Sequence, residues 1–427
     1  MPAHATTDEP AGTTNQPARR LRADEPPEAT GNPAYDVLTL GRVGVDLYPE
    51  QSGVPLGDVT TFAKFLGGTA GNVAVAAARL GLRAAVLTGV GDDPFGAYIR
   101  TALRRFGVDD ALVATVPGLQ TPVVFCELFP PDDFPIYFYR RPVAPDQCLT
   151  PDGLDRAAVR AARALWITGS ALAVEPTRST VFAALEERER LGGEVWFDLD
   201  WRPGFWADPG EAPALYARAL SYATLAVGNA EEAEVAVGSR DPETAAGLLL
   251  RRGVRTAVVK RGPQGVLART GDALHTVPPV PVKVVNGLGA GDAFGGALCA
   301  GLLAGDPLPE VLRAANAAGA LVASRLACAD AMPTRVEIDA LLRERDPVRG
   351  PEHEQRRGPE REPAHGPKRD PARSQEREPG RDPEQETAHA AEHEEKHSPE
   401  HKPTRDPERE PGRDPRRGPE ISPRSRS

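Results

Sequence analysis

The residues best suited to chemistry lie at 286–298, where Asn-Gly-Leu-Gly-Ala-Gly-Asp-Ala-Phe-Gly-Gly-Ala-Leu brings one carboxylate, Asp292, into the first turn of an expected helix. Gly289, Ala290 and Gly291 leave the backbone amides uncovered. The positive end of the helix dipole adds to them, so an anion can settle against several N–H donors. A carboxylate beside that anion is badly placed to bind it, since like charges repel, but well placed to take a proton from a hydroxyl about to attack a phosphoryl group. Asp292 is therefore the candidate base and the amides of 289–292 the candidate anion hole. A helix-end acid serving only the dipole is the alternative, and the flanking Gly-Ala-Gly argues against it.

The remaining titratable residues narrow the chemistry further. Of eight histidines, six (His353, His365, His389, His393, His397 and His401) fall in the last eighty residues and His4 near the start, which leaves His275 in the foldable stretch. A histidine-based nucleophilic triad or a histidine-rich metal centre is thereby excluded, and proton transfer falls to carboxylates or Lys. Cys126, Cys148, Cys299 and Cys328 are far apart and form no Cys-x-x-Cys pair, so neither zinc nor a disulfide framework is indicated.

Composition divides the 427 residues into three parts. Residues 348–427 carry 18 Lys and Arg against 19 Asp and Glu, with no Leu, Phe, Trp, Tyr or Met, and repeat Glu-Arg-Glu-Pro-Gly-Arg-Asp-Pro at 376–383 and 408–415. Such a segment cannot bury enough apolar surface to offset its ordering entropy and reads as a disordered Pro-rich charged tail. Being nearly neutral, it lacks the positive excess of a nucleic-acid arm, and the net charge of −10 resides almost wholly on the rest of the chain. Residues 1–33 read as a disordered arm without the apolar core of a signal peptide. No stretch approaches a membrane span, so a cytoplasmic protein with no nucleic-acid or membrane partner is expected.

Residues 34–347 must position Asp292. Short apolar runs at Val37–Leu40, Ala84–Thr88, Ala164–Thr168, Glu194–Asp198, Leu225–Val227 and Ala257–Lys260 read as strands. Helical spacing between them at Asn72–Leu80, Phe95–Phe106, Arg178–Leu191 and Glu243–Arg252 predicts an α/β fold, a mostly parallel central sheet covered on both faces. Ligands of such sheets sit at the carboxyl ends of strands. Thr121–Arg140 breaks the rhythm and reads as a β-hairpin around Pro-Pro-Asp-Asp. With 43–65 it predicts a small β lid, from about 43–65 and 118–142, that would keep water from the site.

Four separated motifs together resemble the PfkB (ribokinase-like) family of carbohydrate kinases over residues 35–345. Gly67-Gly68-Thr69-Ala70-Gly71-Asn72 is similar to the family's N-terminal signature and Gly289-Ala290-Gly291-Asp292 to its C-terminal one. Asn229-Ala-Glu-Glu232 is similar to its Asn-x-x-Glu element, and Lys260-Arg-Gly262-Pro-Gln-Gly265 to the strand and turn bordering its nucleotide. The resemblance implies a Rossmann-type kinase core using ATP and Mg2+. Asp46, Gly67, Gly68, Asn72 and Arg140 would then meet the sugar, with Lys260, Gly262, Gly265 and Asn316 toward the nucleotide and Asn229 and Glu232 toward magnesium. For Asn72 a helix cap, for Asn229 and Glu232 a capping pair, and for Asn316 simple packing are the alternatives. Relatives often dimerise through the lid, which implies a homodimer.

Gly41-Arg42-Val-Gly-Val-Asp46-Leu-Tyr48, Phe138-Tyr139-Arg140 and Phe197-Asp198-Leu-Asp200-Trp201-Arg202-Pro203 are similar to the family's inositol-catabolism branch, whose substrate is 5-dehydro-2-deoxy-D-gluconate. Other acceptors of the same chemistry are 2-keto-3-deoxygluconate, fructose and ribose, and a sugar-sensing protein without catalysis is a second class. An NAD-binding enzyme would want Gly-x-Gly-x-x-Gly after the first strand, which is missing. Arg42, Lys64, Arg140 and Arg202 fall near pocket segments, and convergence of two or more would suit a substrate carboxylate. Asn286-Gly287 stands where much of the family has Asp-Thr beside a monovalent-cation site, so the resemblance leaves a monovalent cation such as potassium as an open alternative beside ATP and Mg2+.

Overall fold

The structure, a computed structural model, describes residues 34–345; the expected arm at 1–33 and tail at 348–427 lie outside the described residues. Strand β1 (Val37–Leu40) is buried at every position because its side chains alternate between two cores. Val37 joins one, and Leu38 and Leu40 the other. It is followed by β2 (Gly44–Pro49), β3 (Phe62–Gly67), helix α1 (Thr69–Arg79), β4 (Ala84–Gly91) and α2 (Pro94–Arg105). Four short strands come next, β5 (Val108–Asp109), β6 (Val113–Val116), β7 (Val123–Cys126) and β8 (Ile136–Tyr139). Helix and strand then alternate through α3 (Arg156–Ala161), β9 (Ala164–Thr168), α4 (Thr177–Glu189), β10 (Glu194–Asp198), α5 (Ala212–Leu220) and β11 (Leu225–Asn229). The rest is α6 (Ala230–Val237), α7 (Pro242–Arg251), β12 (Thr256–Lys260), β13 (Val266–Thr270), β14 (Leu274–Val277), α8 (Ala290–Ala304), α9 (Leu308–Ala323) and α10 (Arg335–Arg345).

Ten of these strands make one sheet in the order β14-β13-β12-β11-β10-β9-β1-β4-β5, with β6 also on β4. From β12 to β4 neighbouring strands are parallel, and only β13 and β14 add antiparallel pairs. The mostly parallel, doubly covered sheet expected from the alternating runs is thus present. The chain passes from β1 to β4 and later returns to the other side of β1 as β9. Strand order reverses there, and a crevice opens at the carboxyl ends of the strands.

Helix α8 lies against α1 and the sheet because its small residues permit it. A Cβ on Gly296 would fall 2.3 Å from the Ala76 side chain, and one on Gly295 2.9 Å from the Trp166 ring. The Gly-rich run therefore continues past Asp292 for a packing reason, and that packing fixes where the helix N-terminus points. Helix α1 starts at Thr69, three residues ahead of the expected start, since Gly68 at φ +94° supplies the turn.

Strands β3, β2, β7 and β8 form a separate four-stranded sheet, built from the segments expected to make a lid. β2 pairs antiparallel with β3 and parallel with β7, which pairs antiparallel with β8. No helix among the described residues is long and apolar enough to cross a membrane.

Candidate active site

A cavity of about 270 Å3 opens where the two sheets meet, close to the lower bound of about 300 Å3 for small-ligand pockets. Its walls come from chain segments just past strand ends: Arg42 after β1, Asp198, Asp200 and Arg202 at β10, Asn229 and Glu232 at β11, and Lys260 at β12. The small sheet contributes Asp46, Tyr48, Val124, Ile136 and Phe138, with Arg140 just beyond β8, while Gly68, Thr69 and Asn72 come from the start of α1. Gly289, Gly291 and Asp292 complete the wall.

The N-terminus of α8 meets this space bare. Gly289 is the cap residue at φ +79°, no side chain caps the helix, and the first-turn amides have no intrahelical acceptor. A Cβ on Gly289 would sit 2.7 Å from Cys328 Sγ, so glycine is required for both conformation and space; one on Gly291 would meet only Lys260 Nζ, at 3.2 Å. Asp292 accepts a hydrogen bond from Asn72 Nδ2 at 2.8 Å. Burial lifts its carboxyl to about 6 while that hydrogen bond pulls the other way, which leaves it mostly ionised at neutral pH and still basic enough to take a proton.

Asn72 is not a helix cap. Gly68 occupies that position, which frees the Asn72 amide to reach across to Asp292, and Asn72 Oδ1 is buried without a partner. Asp46 on β2 is buried beside it, with Tyr48 donating at 2.8 Å. Burial pushes its carboxyl up to about 7, against the Tyr48 hydrogen bond and the Arg42 charge. Gly67 does not line the cavity but makes room for this acid, since a Cβ there would lie 2.0 Å from Asp46 Oδ1. Tyr48 also meets Cys328 Sγ at 2.7 Å. Burial raises both groups well above their usual range, so both remain protonated.

Asn229 and Glu232 form the capping pair of α6. Asn229 Oδ1 accepts from the Glu232 amide at 2.9 Å, and Glu232 Oε2 accepts from the Asn229 amide at 2.7 Å. Asn229 therefore has its side-chain oxygen engaged, and Glu232 keeps Oε1, 4.0 Å from Arg202. Among the described residues no three His, Cys, Asp or Glu side chains gather closely enough to hold a metal ion directly.

Lys260 lines the cavity. Burial works against its charge, but Glu232, Asp198 and Asp292 more than offset that and raise its pKa. Gly262, Gly265 and Asn316, expected beside it, are not among the cavity walls. Gly265, at φ +82°, is glycine because a Cβ would strike the Val277 carbonyl at 2.1 Å. Asn316 donates to the Pro278 carbonyl at 2.8 Å. Lys64 is also elsewhere, with its ammonium 3.9 Å from the Tyr98 ring centroid.

The other three arginines do converge on the cavity: Asp146 holds Arg140 at 2.8 Å, while Arg42 and Arg202 are gathered by Asp200, which the strand pattern did not single out. This acid, at φ +31°, accepts from Arg42 and Ser170 at 2.5 Å each, from Thr69 at 3.3 Å, and pairs with Arg202 at 3.0 Å. Burial alone would raise its carboxyl, but the two guanidinium charges and the bonds from Arg42 and Ser170 hold it below the usual range, whereas burial pushes Asp198 well up. Two acids and an Arg directly after a buried strand were a readable signal. Ser170 and Thr69 carried none.

Comparison with known proteins agrees with this geometry. The model of the pfkB family carbohydrate kinases matches residues 34–335. The chain belongs to the PfkB family. Among PfkB relatives, the 5-dehydro-2-deoxygluconokinase of Bacillus thuringiensis subsp. konkukian (strain 97-27) is 33% identical over 320 residues, covering 73% of this chain and 96% of the relative. The enzyme of the same name from Geobacillus thermodenitrificans (strain NG80-2) is 34% identical over 313 residues, covering 72% and 93%. Among solved PfkB-like structures, a putative ribokinase II from E. coli in complex with ATP and Mg2+ superposes with a TM-score of 0.67 at 25% identity, over 72% of this chain and 99% of that one. A fructokinase double mutant from Vibrio cholerae O395, bound to fructose, ADP and potassium, gives 0.65 at 30% identity, over 73% and 99%. This protein is thus a carbohydrate kinase with a ribokinase-like fold.

Proposed function

We propose that the protein transfers the γ-phosphoryl group of ATP to a hydroxyl of a sugar acid, 5-dehydro-2-deoxy-D-gluconate, giving its 6-phosphate in the cytoplasm. The observation that carries this reading is Asp292, held by Asn72 at the uncapped N-terminus of α8 inside the cavity. Asp292 takes the proton of the attacking hydroxyl. The amides of the Gly289-Ala290-Gly291 turn, with Asp292's own, receive the charge that grows on the phosphoryl oxygens. Asp46, Asn72 Oδ1 and the backbone at Gly68 hold the sugar hydroxyls, Arg140 meets the substrate from the small sheet, and Lys260 faces the nucleotide phosphates beside Gly291.

Magnesium, when bound with the nucleotide, neutralises phosphate charge. The site fits such an ion, since Glu232 offers a carboxylate oxygen, no imidazole lines the cavity and its thiol, Cys328, is engaged with Tyr48, and an ion carried mostly by water and phosphate needs few protein ligands. Glu232 is the residue to hold it, through water, and Asn229 serves by fixing the start of α6. The names of the relatives support the substrate.

The small sheet exposes Tyr137 and Tyr139, with Tyr139 edge-on to Phe125 and Phe125 to Phe62. An aromatic row of this kind supports pairing of two copies through that sheet. The test of function is an ATP-consumption panel over sugars and sugar acids with the full chain. The reading requires turnover on the deoxyketo-acid, and consumption with fructose or ribose alone would replace the substrate while keeping the chemistry.

A further inference from the structure

Asn286 stands three residues ahead of Gly289, where much of the PfkB family has Asp, and it is wholly buried. Both ends of its side chain are used. Nδ2 donates to the Leu326 carbonyl at 2.6 Å, and Oδ1 accepts from the Leu288 amide at 3.0 Å. The partners fix which end is which, since a backbone N–H needs an oxygen and a carbonyl needs an N–H. Its backbone is held as well: the amides of Val285 and Asn286 both donate to the Ala323 carbonyl at the end of α9, at 2.8 and 3.1 Å.

These bonds join two segments that touch at the anion hole. One runs from Asn286 into Gly289. The other runs from the end of α9 through Leu326 to Cys328, whose Sγ would lie 2.7 Å from a Cβ on Gly289. Leu288, Leu326, Cys328 and Phe134 belong to one small apolar cluster around the joint. Gly287 is fitted to the same space, because a Cβ there would lie 3.0 Å from the Phe134 ring, and a Thr at this position would have to displace that ring.

A monovalent cation such as the potassium bound to the Vibrio cholerae fructokinase does not fit this arrangement. Potassium is held by oxygens that replace its water, yet the Leu326 carbonyl already accepts an N–H and Oδ1 of Asn286 is taken by the Leu288 amide. An Asp at 286 would turn two oxygens on each other and require a positive charge between them, whereas the Asn amide supplies its own donor. We propose that the Asn286 amide does for the 286–289 loop what a bound monovalent cation would do, tying it to Leu326, so that catalysis needs no potassium. Asn286 is thus a positioning residue, since it does not line the cavity and acts through the placement of the Gly289 turn. The inference rests on reading the amides of 289–292 as the anion hole.

The test uses full-length protein freed of potassium. ATP consumption on 5-dehydro-2-deoxy-D-gluconate is followed in KCl, NaCl and tetramethylammonium chloride at equal ionic strength, so that screening is constant. Wild type should keep the same kcat and the same melting temperature in every salt, since a cation that bound the folded chain would raise the latter. Asn286→Asp sets a carboxylate oxygen against the Leu326 carbonyl. Its kcat should fall about 10- to 100-fold in tetramethylammonium chloride, the range for a misplaced transition-state donor, with the sugar KM little changed. KCl should restore part of that loss and raise the variant's melting temperature. Asn286→Ala, which lacks both bonds, should lose kcat alike in every salt. A wild-type kcat or melting temperature that climbs with KCl, a folded Asn286→Ala with wild-type kcat, or a folded Asn286→Asp that regains nothing in KCl overturns the inference. Absence of turnover on any sugar in any salt overturns the kinase reading instead, and the melting comparison still decides whether the chain takes up potassium.

Discussion

Replacing Asp292 with Asn tests the catalytic assignment most directly, because the change is nearly isosteric. The Asn carbonyl can still accept the 2.8 Å bond from Asn72, so the wall of the cavity should be preserved. What disappears is the base. A positioned base contributes about 10²- to 10⁴-fold, so kcat should fall by that factor, or about 3–5 kcal/mol of transition-state stabilisation. Because burial holds the carboxyl at about 6, the comparison belongs at about pH 8, where wild type is almost fully ionised. ATP affinity should hold or improve, since a negative charge beside the phosphates is removed. Coupled ADP release gives kcat, and calorimetry gives the nucleotide Kd. A loss of kcat below about tenfold, or a loss matched by an equal rise in Kd, would refute Asp292 as base.

Two further changes follow from the same geometry. In wild type, kcat should decline as pH falls through about 6, because the base acts only when ionised. Asn72→Ala removes a hydrogen bond that favours the charged form of Asp292. The acid limb of the pH profile should therefore move to higher pH by about one to two units; an unmoved limb would show that Asn72 does not act on the base. Gly67→Ala places a methyl 2.0 Å from Asp46 Oδ1 and must displace that carboxylate. The sugar KM should rise at least about tenfold and stability drop by about 1–3 kcal/mol, with the ATP KM steady, and a shared rise in both KM values would mean a general distortion instead.

The parts of the fold set by local pattern were legible in the chain. β1, β9 and β10 occupy the expected ranges without change, because strands buried on both faces must be apolar nearly throughout. The Gly-Ala-Gly-Asp turn was legible for a different reason: few residue types permit a bare helix start at positive φ. Boundaries slipped where a glycine decided them, as at Gly68. In the site, Asp46, Asn72 and Asp292 come together as expected, and Gly262, Gly265 and Asn316 do not join them. The former three lie just beside or within elements converging on the crevice, whereas Gly265 and Asn316 answer to the nearby Val277 and Pro278 carbonyls.

The sequence by itself determined the family, the parallel sheet and the Gly-rich helix start that carries Asp292, because each depends on residue type, spacing or local backbone freedom. It could not decide which of four cations would face the cavity. Arg42, Arg140 and Arg202 meet across gaps of 62 to 160 residues, and Lys64 turns instead to Tyr98. Two buried acids hold them, Asp200 for Arg42 and Arg202 and Asp146 for Arg140, and the Phe205 ring faces Arg42 and Arg140. Charge desolvated in a crevice is arranged by tertiary packing, since only the folded chain excludes the water that would otherwise satisfy each group alone.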